Sequence, residues 1–437
     1  MSKEKESPLL KNKLSLHLFS IFSVISLISI FILNMLTRGR LLNDMLFGSD
    51  YFMDFFNSVC DSGTRDVYTA TGVIYPPLAN LYFYIVSRMI PADMAASSFG
   101  EERAAMYSDG ASQMQFLFFF LFAVAVLAII CYAVLKRSYS TTVSLEASLF
   151  LVFSFPIVYC VQRGNITLLA MVFSMAFCFF RNSENKAVRE LSFVALAIAA
   201  GLKLYPALFG VLLIFDKKYK EAVRLVLYGI FFFVAPFAFY GGLDTLKDLF
   251  QNIFSFAGEK TNETSFYGTS ISNVISWFYF LSGSEMSTLT NILKPIIYVG
   301  SVFTLIFSKE EWKKLLSIFF IFANIASVAR VYILIFLLIP FISFVMTKST
   351  KKITLVYGLI FCALIIAIPS YIYFNLDTVA DLLSHFSIGA PAADMLKSIN
   401  KFTCSLFVLL FEILLFGDTI IALKKRIAEK KSAAVEK

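Results

Sequence analysis

Apolar runs long enough, or nearly long enough, to cross a bilayer recur from one end of this chain to the other. They lie at roughly 15–36, 114–135, 143–161, 165–180, 190–202, 204–215, 222–240, 288–307, 315–329, 331–347, 353–374 and 402–423. A spanning helix needs about 20 apolar residues to bridge a hydrocarbon core about 30 Å thick. A soluble fold cannot cover this many runs, because 58% of the 437 residues are hydrophobic and only 16% are charged, against roughly 45–50% and 25% in a soluble domain. The same balance excludes a disordered chain. Six cysteines scattered along the whole length exclude a secreted disulfide scaffold. The expected fold is all-α: a polytopic transmembrane helical bundle of about twelve spans. The first run follows MSKEKESPLLKNK without a small-residue cleavage site and reads as an anchor.

Two shorter stretches, 73–90 (VIYPPLANLYFYIVSRMI) and 268–282 (GTSISNVISWFYFLS), read as interfacial helices. If neither crosses, the N-terminus, Lys136-Arg137, Arg181 to Arg189, Lys217 to Arg224, Lys309 to Lys314, Lys348 to Lys352 and the tail from Lys424 share one side. That side then carries 25 of the 38 Lys and Arg residues in short segments, which marks it as cytoplasmic. Both termini are then cytoplasmic in a multi-pass protein of the cell membrane. The outer face receives three long loops, 37–112, 241–287 and 375–401. Long loops carry function more often than short ones, so the activity is expected outside. The chain reads as one integral-membrane domain over 1–437, with a catalytic module at 45–215 and further C-terminal spans at 216–437.

Three outer turns carry cations next to short apolar runs: Gln162-Arg163-Gly164-Asn165, Lys203 in GLKLYP, and Arg330 in SVARVYILIFLLIP. The runs beside Lys203 are about 13 residues, or ~20 Å of helix at 1.5 Å per residue. Such turns lie below the membrane surface, where a cation needs a partner or water and irregular backbone lines a cavity. Any one of these residues could be a snorkelling cation or a helix clamp. Together they point to a cationic pocket for a lipid phosphate.

The first outer loop supplies the opposite charge. Asp50 and Asp54 are spaced i, i+4, so on a helix they share a face, among Phe52, Met53, Phe55 and Phe56, an amphipathic pattern suited to the interface. The bland reading is a wetted helix face with capping aspartates. The functional one is a general base acting on a hydroxyl. His17 and His385 are the only histidines, and GxxxxGK[ST], GxSxG and CxxC are absent. No metal or cofactor is therefore expected. The cysteines read as small apolar packers and Glu412 as a buried polar contact. The net charge of +8 falls on the cytoplasmic links and reflects topology and anionic-lipid contact, not nucleic-acid binding.

The order of an Asp-bearing outer loop, IYPPLANLYFYIV, QRGNITLLAM and GLKLYPALFGVLLI resembles glycosyltransferase family 87, over about residues 45–215 and more loosely to the Arg330 turn. That family is a branch of the multispanning C-type glycosyltransferases and is similar to mannosyltransferases that use polyprenyl-phosphate mannose. The resemblance implies a C-type architecture, an Asp in the first outer loop as base, and no cofactor besides the lipid-phosphate donor. Asp50 matches the family spacing, with Phe55, Gly63 and Tyr68 at +5, +13 and +18, while Asp54 stands where relatives often have an aromatic. The base is therefore Asp50 or Asp54. Gln162, Arg163 and Asn165 stand at a GQxN-like turn, and Lys203 and Tyr205-Pro206 match directly. Arg330 and Tyr332 stand where relatives often place a His; Arg holds phosphate without titrating.

The resulting expectation is an inverting transfer of a hexose, mannose as first guess, from a polyprenyl phosphate to a lipid-linked or cell-envelope glycan on the outer face. Lys203, Arg330 and Arg163 would hold the donor phosphate. Asn165, Gln162, Tyr75, Tyr205 and Tyr332 would line the substrate pocket. The partners are membrane lipids, the lipid-phosphate sugar and a glycan or glycolipid acceptor. The rival reading is a lipid-linked oligosaccharide polymerase or a flippase, although charges gathered at outer turns suit an enzyme better than a two-sided channel.

Overall fold

The structure is a computed structural model that describes residues 11–40, 42, 51–69, 73–91, 106, 108–260, 269–275, 287–325, 331–349, 351–366 and 390–435. Regular structure among them is entirely helical. In chain order the helices are α1 (Lys11–Leu36), α2 (Met53–Asp61), α3 (Pro77–Ser87), α4 (Gly110–Leu135), α5 (Thr141–Val152), α6 (Phe155–Arg163), α7 (Thr167–Phe180), α8 (Lys186–Leu202) and α9 (Val211–Phe215). They continue as α10 (Tyr219–Val234), α11 (Thr245–Lys260), α12 (Ser287–Phe307), α13 (Glu311–Ile325), α14 (Leu338–Met346), α15 (Lys352–Ile365) and α16 (Ala390–Val435).

Local chemistry explains several boundaries. Asn185 caps α8, its side chain accepting from the amides of Ala187 and Val188, and Ser140 caps α5 by accepting from Val143. α3 opens on Pro77, whose missing N–H costs nothing in a first turn. At 11 residues α3 is about 16 Å long, too short to span, in line with an interfacial reading of 73–90.

Five helices among the described residues are long and apolar enough to cross a membrane: Asn12–Leu36, Gly110–Leu135, Tyr219–Phe239, Thr288–Phe307 and Thr403–Ala433. A sixth is added if α5 and α6 count as one bent span. Within the described residues the other expected spans form shorter helices. The run 204–215 folds as a 3-10 segment, Tyr205–Gly210, followed by the five residues of α9. The run 331–347 folds as the 3-10 segment Val331–Leu337 followed by α14. Pro206 and Pro340 lie in these segments, and proline removes a main-chain donor wherever it stands inside a helix.

The chain divides into two compact units. One comprises residues 42–134 and 156–264. In it α8 packs along both α7 and α10, and α3 rests on α2, α8 and α10. A satellite core of Val67, Tyr68, Val73, Phe237, Tyr240 and Leu249 is tied by Asn252, whose amide donates to the carbonyls of Tyr68 and Val73. The other unit comprises residues 1–41, 135–155 and 265–437. Here α12 packs on α13 and α16, and α1 on α14 and α15, around rings that include Phe344, Tyr357, Phe361 and Phe411. Lys313 on α13 pairs with Asp418 on α16 at 2.6 Å. The cysteines of the chain are free, and Cys131, Cys160, Cys178 and Cys362 are buried as apolar packers.

Candidate active site

The site is built on the turn that ends α6. Gly164 adopts φ +67°, and its amide and that of Asn165 return to the carbonyls of Val161 and Cys160 at 2.9 and 3.0 Å. This left-handed closure favours glycine. A Cβ there would also lie 2.7 Å from Phe55 Cβ and 3.2 Å from Phe52 Cα. The first turn of α2 thus lies directly on the Gln162–Asn165 turn, with the Phe52 amide donating to the Gln162 carbonyl at 2.6 Å. Phe52 itself has φ +54°, which is why the helix starts only at Met53. Asp54 therefore stands in the first turn, where the helix dipole favours a carboxylate. Asp50 lies outside the described residues.

Both oxygens of Asp54 are held. Oδ1 accepts from Arg163 Nη2 at 2.7 Å and Oδ2 from Asn165 Nδ2 at 2.7 Å. The pair is largely shielded, with side chains 7% exposed for Arg163 and 19% for Asp54, so the bonds are of the short, charge-assisted kind. Asn165 is oriented in turn. Its Oδ1 accepts from the Thr167 amide at 3.0 Å and the Thr167 hydroxyl at 2.6 Å, which aims its NH2 group at Asp54. Because the Thr167 hydroxyl hydrogen points at Asn165, the contact of 3.2 Å with Tyr205 Oη has Tyr205 as donor. The donors run one way, from Tyr205 through Thr167 and Asn165 to Asp54.

Lys203 follows α8 with extended backbone and sets its ammonium over the ring of Tyr75, 4.1 Å from the centroid. Tyr75 is fixed by its carbonyl, which accepts from the Tyr68 hydroxyl at 2.9 Å and the Asn80 amide at 3.2 Å. Close approach of the two elements needs Gly201, since a Cβ there would meet the Leu78 side chain at 2.7 Å. Among the described residues no carboxylate reaches ion-pair distance of Lys203.

One unit therefore brings together Asp54, Gln162, Arg163, Asn165, Lys203, Tyr205 and Tyr75. Gln162 takes part through its main-chain carbonyl. Arg163, expected beside a donor phosphate, is paired with Asp54. Arg330 lies outside the described residues. Tyr332 belongs to the other unit, half-buried in the 3-10 segment Val331–Leu337. Thr167 was not foreseen. Its signal was present in the Asn165-Ile166-Thr167 spacing, because an Asn side chain readily accepts from the main chain two residues on.

The arrangement can hold a carboxylate in one orientation, in the same unit as a cation, Lys203, that has no acidic partner among the described residues. The family model described as glycosyltransferase family 87 matches residues 74–317, more than half of the chain. That range includes Tyr75, Arg163, Asn165, Thr167, Lys203 and Tyr205, and begins after Asp54. No curated protein and no solved structure matches the chain. On the extent of the family match, the chain belongs to glycosyltransferase family 87.

Proposed function

We propose that this glycosyltransferase moves a hexose, with mannose as the first to test, from a polyprenyl-phosphate donor to a glycan or glycolipid hydroxyl. The observation that carries the reading is the clamped Asp54, held by Arg163 and Asn165 and with its side chain still 19% exposed. Each carboxylate oxygen accepts one bond from the clamp and retains a lone pair. One lone pair can take the acceptor hydroxyl proton while the acceptor oxygen attacks the anomeric carbon. The bond from that carbon to the phosphate oxygen breaks on the opposite face, giving inversion. The leaving phosphate needs no proton. Its charge is stabilised by Lys203, and Arg330 is proposed to assist from the later turn. Such preorganised charge is often the largest catalytic term. Arg163 then positions the base, and Tyr75 and Tyr205 border the sugar.

We further place both termini in the cytoplasm, the site on the outer side of the cell membrane, and the fold within the C-type architecture of about twelve spans. The basic links and the five long apolar helices support that topology. The deciding experiment is transfer by purified full-length protein from a polyprenyl-phosphate mannose, compared with Asp54→Asn. Transfer is expected with the wild type and should be lost with the variant. Full activity of correctly inserted Asp54→Asn would remove Asp54 as the base.

A further inference from the structure

A second polar site lies in the unit that does not contain Asp54. α12 carries Asn291, Lys294, Pro295 and Tyr298 at i, i+3, i+4 and i+7, which is one helix face. With Asn324 of α13 they line an open groove with a volume of about 380 Å³. Lys294 stands seven residues into a helix long and apolar enough to span, about 10 Å along its axis. An ionisable residue at such a place is by default a functional one.

The same face shows what closes the rest of it. Further along the chain, the Ser301 hydroxyl donates to Glu412 and Ser308 meets Thr419 at 3.3 Å, both partners on α16. The earlier part has no such counterpart: among the described residues nothing pairs with the side chains of Asn291, Lys294 or Tyr298. Pro295 adds an acceptor, because it cannot donate to the Asn291 carbonyl four residues back. The buried wall is rigid. Asn324 donates to the Phe320 carbonyl at 2.9 Å, accepts from the Ile271 amide at 3.3 Å, and reaches Glu412 at 3.5 Å. Beside the polar stripe, Ile292, Ile296 and Val299 are exposed at i, i+4 and i+7, an apolar strip along the same span.

We propose that this groove binds the headgroup of an anionic phospholipid, with its phosphate on Lys294 and its acyl chains along Ile292, Ile296 and Val299. The ammonium, the Asn291 amide and the Tyr298 hydroxyl all donate toward a phosphate, and the Asn291 carbonyl takes a headgroup hydroxyl. One ammonium balances a phosphodiester, which bears a single negative charge. A phosphomonoester, at roughly −1.5 to −2 at neutral pH, would be left under-neutralised. The assignment does not depend on Asp54 chemistry.

The test is native mass spectrometry of the full-length protein in detergent, titrated separately with phosphatidylglycerol, diacylglycerol and a polyprenyl-phosphate mannose, which is also a phosphodiester. Phosphatidylglycerol should bind, and Lys294→Gln should weaken it by about tenfold or more, the share of one charge-assisted hydrogen bond. Asn291→Ala should weaken it by less, and Lys294→Arg should restore most of it. Lys425→Ala, a change at an exposed residue of α16, should leave binding unchanged. Equal binding of diacylglycerol, unchanged binding by Lys294→Gln, or a polyprenyl-phosphate mannose that binds tighter through Lys294 would each overturn the proposal. Because the readout is binding alone, it stands or falls separately from sugar transfer.

Discussion

Asp54 and Glu412 are both helical carboxylates, one in each unit, and their surroundings differ in kind. Glu412 is 4% exposed and meets neutral donors, the Ser301 hydroxyl and the Asn324 amide. Asp54 keeps an open edge and meets a cation, the guanidinium of Arg163. A carboxyl group sealed among hydroxyl and amide groups satisfies a helix seam, since buried polar atoms must be paired. A carboxylate oriented by a guanidinium and left accessible on one side is equipped to meet a ligand. Under the proposed mechanism, orientation together with access, and not burial alone, separates the base from a structural carboxylate.

Substitutions can break this contrast. Asp54→Asn should lower kcat by about 10²–10⁴-fold, the usual contribution of a positioned base, with unchanged membrane insertion. Lys203→Ala should cost about 10²–10³-fold in kcat/KM with a lipid-phosphate donor, as expected for lost charge stabilisation. Donor kinetics equal to the wild type would take Lys203 out of the site. Gly164→Ala combines an unfavourable φ with the contact against Phe55 and should lower the thermal midpoint by an amount equivalent to about 1–3 kcal/mol. Thr167→Val removes the hydroxyl that orients Asn165 and should reduce kcat about fivefold, near 1 kcal/mol for one hydrogen bond. Glu412→Gln should be the mildest, leaving transfer within about twofold, because the amide can still meet Ser301 and Asn324. A loss as large as that of Asp54→Asn would collapse the distinction between the two carboxylates.

Much of the site was legible because charge is so scarce in this chain. Arg163, Lys203 and Asp54 stood out as polar residues among apolar runs, and the Gln162–Asn165 turn announced itself by its glycine. Their partnership was not legible. Arg163 and Asp54 are 109 positions apart, and nothing in local spacing says that the guanidinium faces the carboxylate. Phe52 also hid its role: a left-handed aromatic residue has no sequence signature, so the helix seemed able to include Asp50. The long apolar helices α1, α4, α10, α12 and α16 were clear from their length, whereas the 3-10 segments at Tyr205–Gly210 and Val331–Leu337 read as ordinary spans. Hydropathy reports how apolar a run is, but not how tightly its backbone is wound.

The direction of the hydrogen bonds around Asp54 sets the fate of any proton it takes. Arg163 and the NH2 of Asn165 can only donate, and behind Asn165 both Thr167 and Tyr205 already point their hydrogens forward. Among the described donors around Asp54, none offers a proton on its carboxyl group a path inward. Under the proposed mechanism the proton would then leave by the exposed edge of Asp54, and each turnover would include a reset step in which water recovers the base.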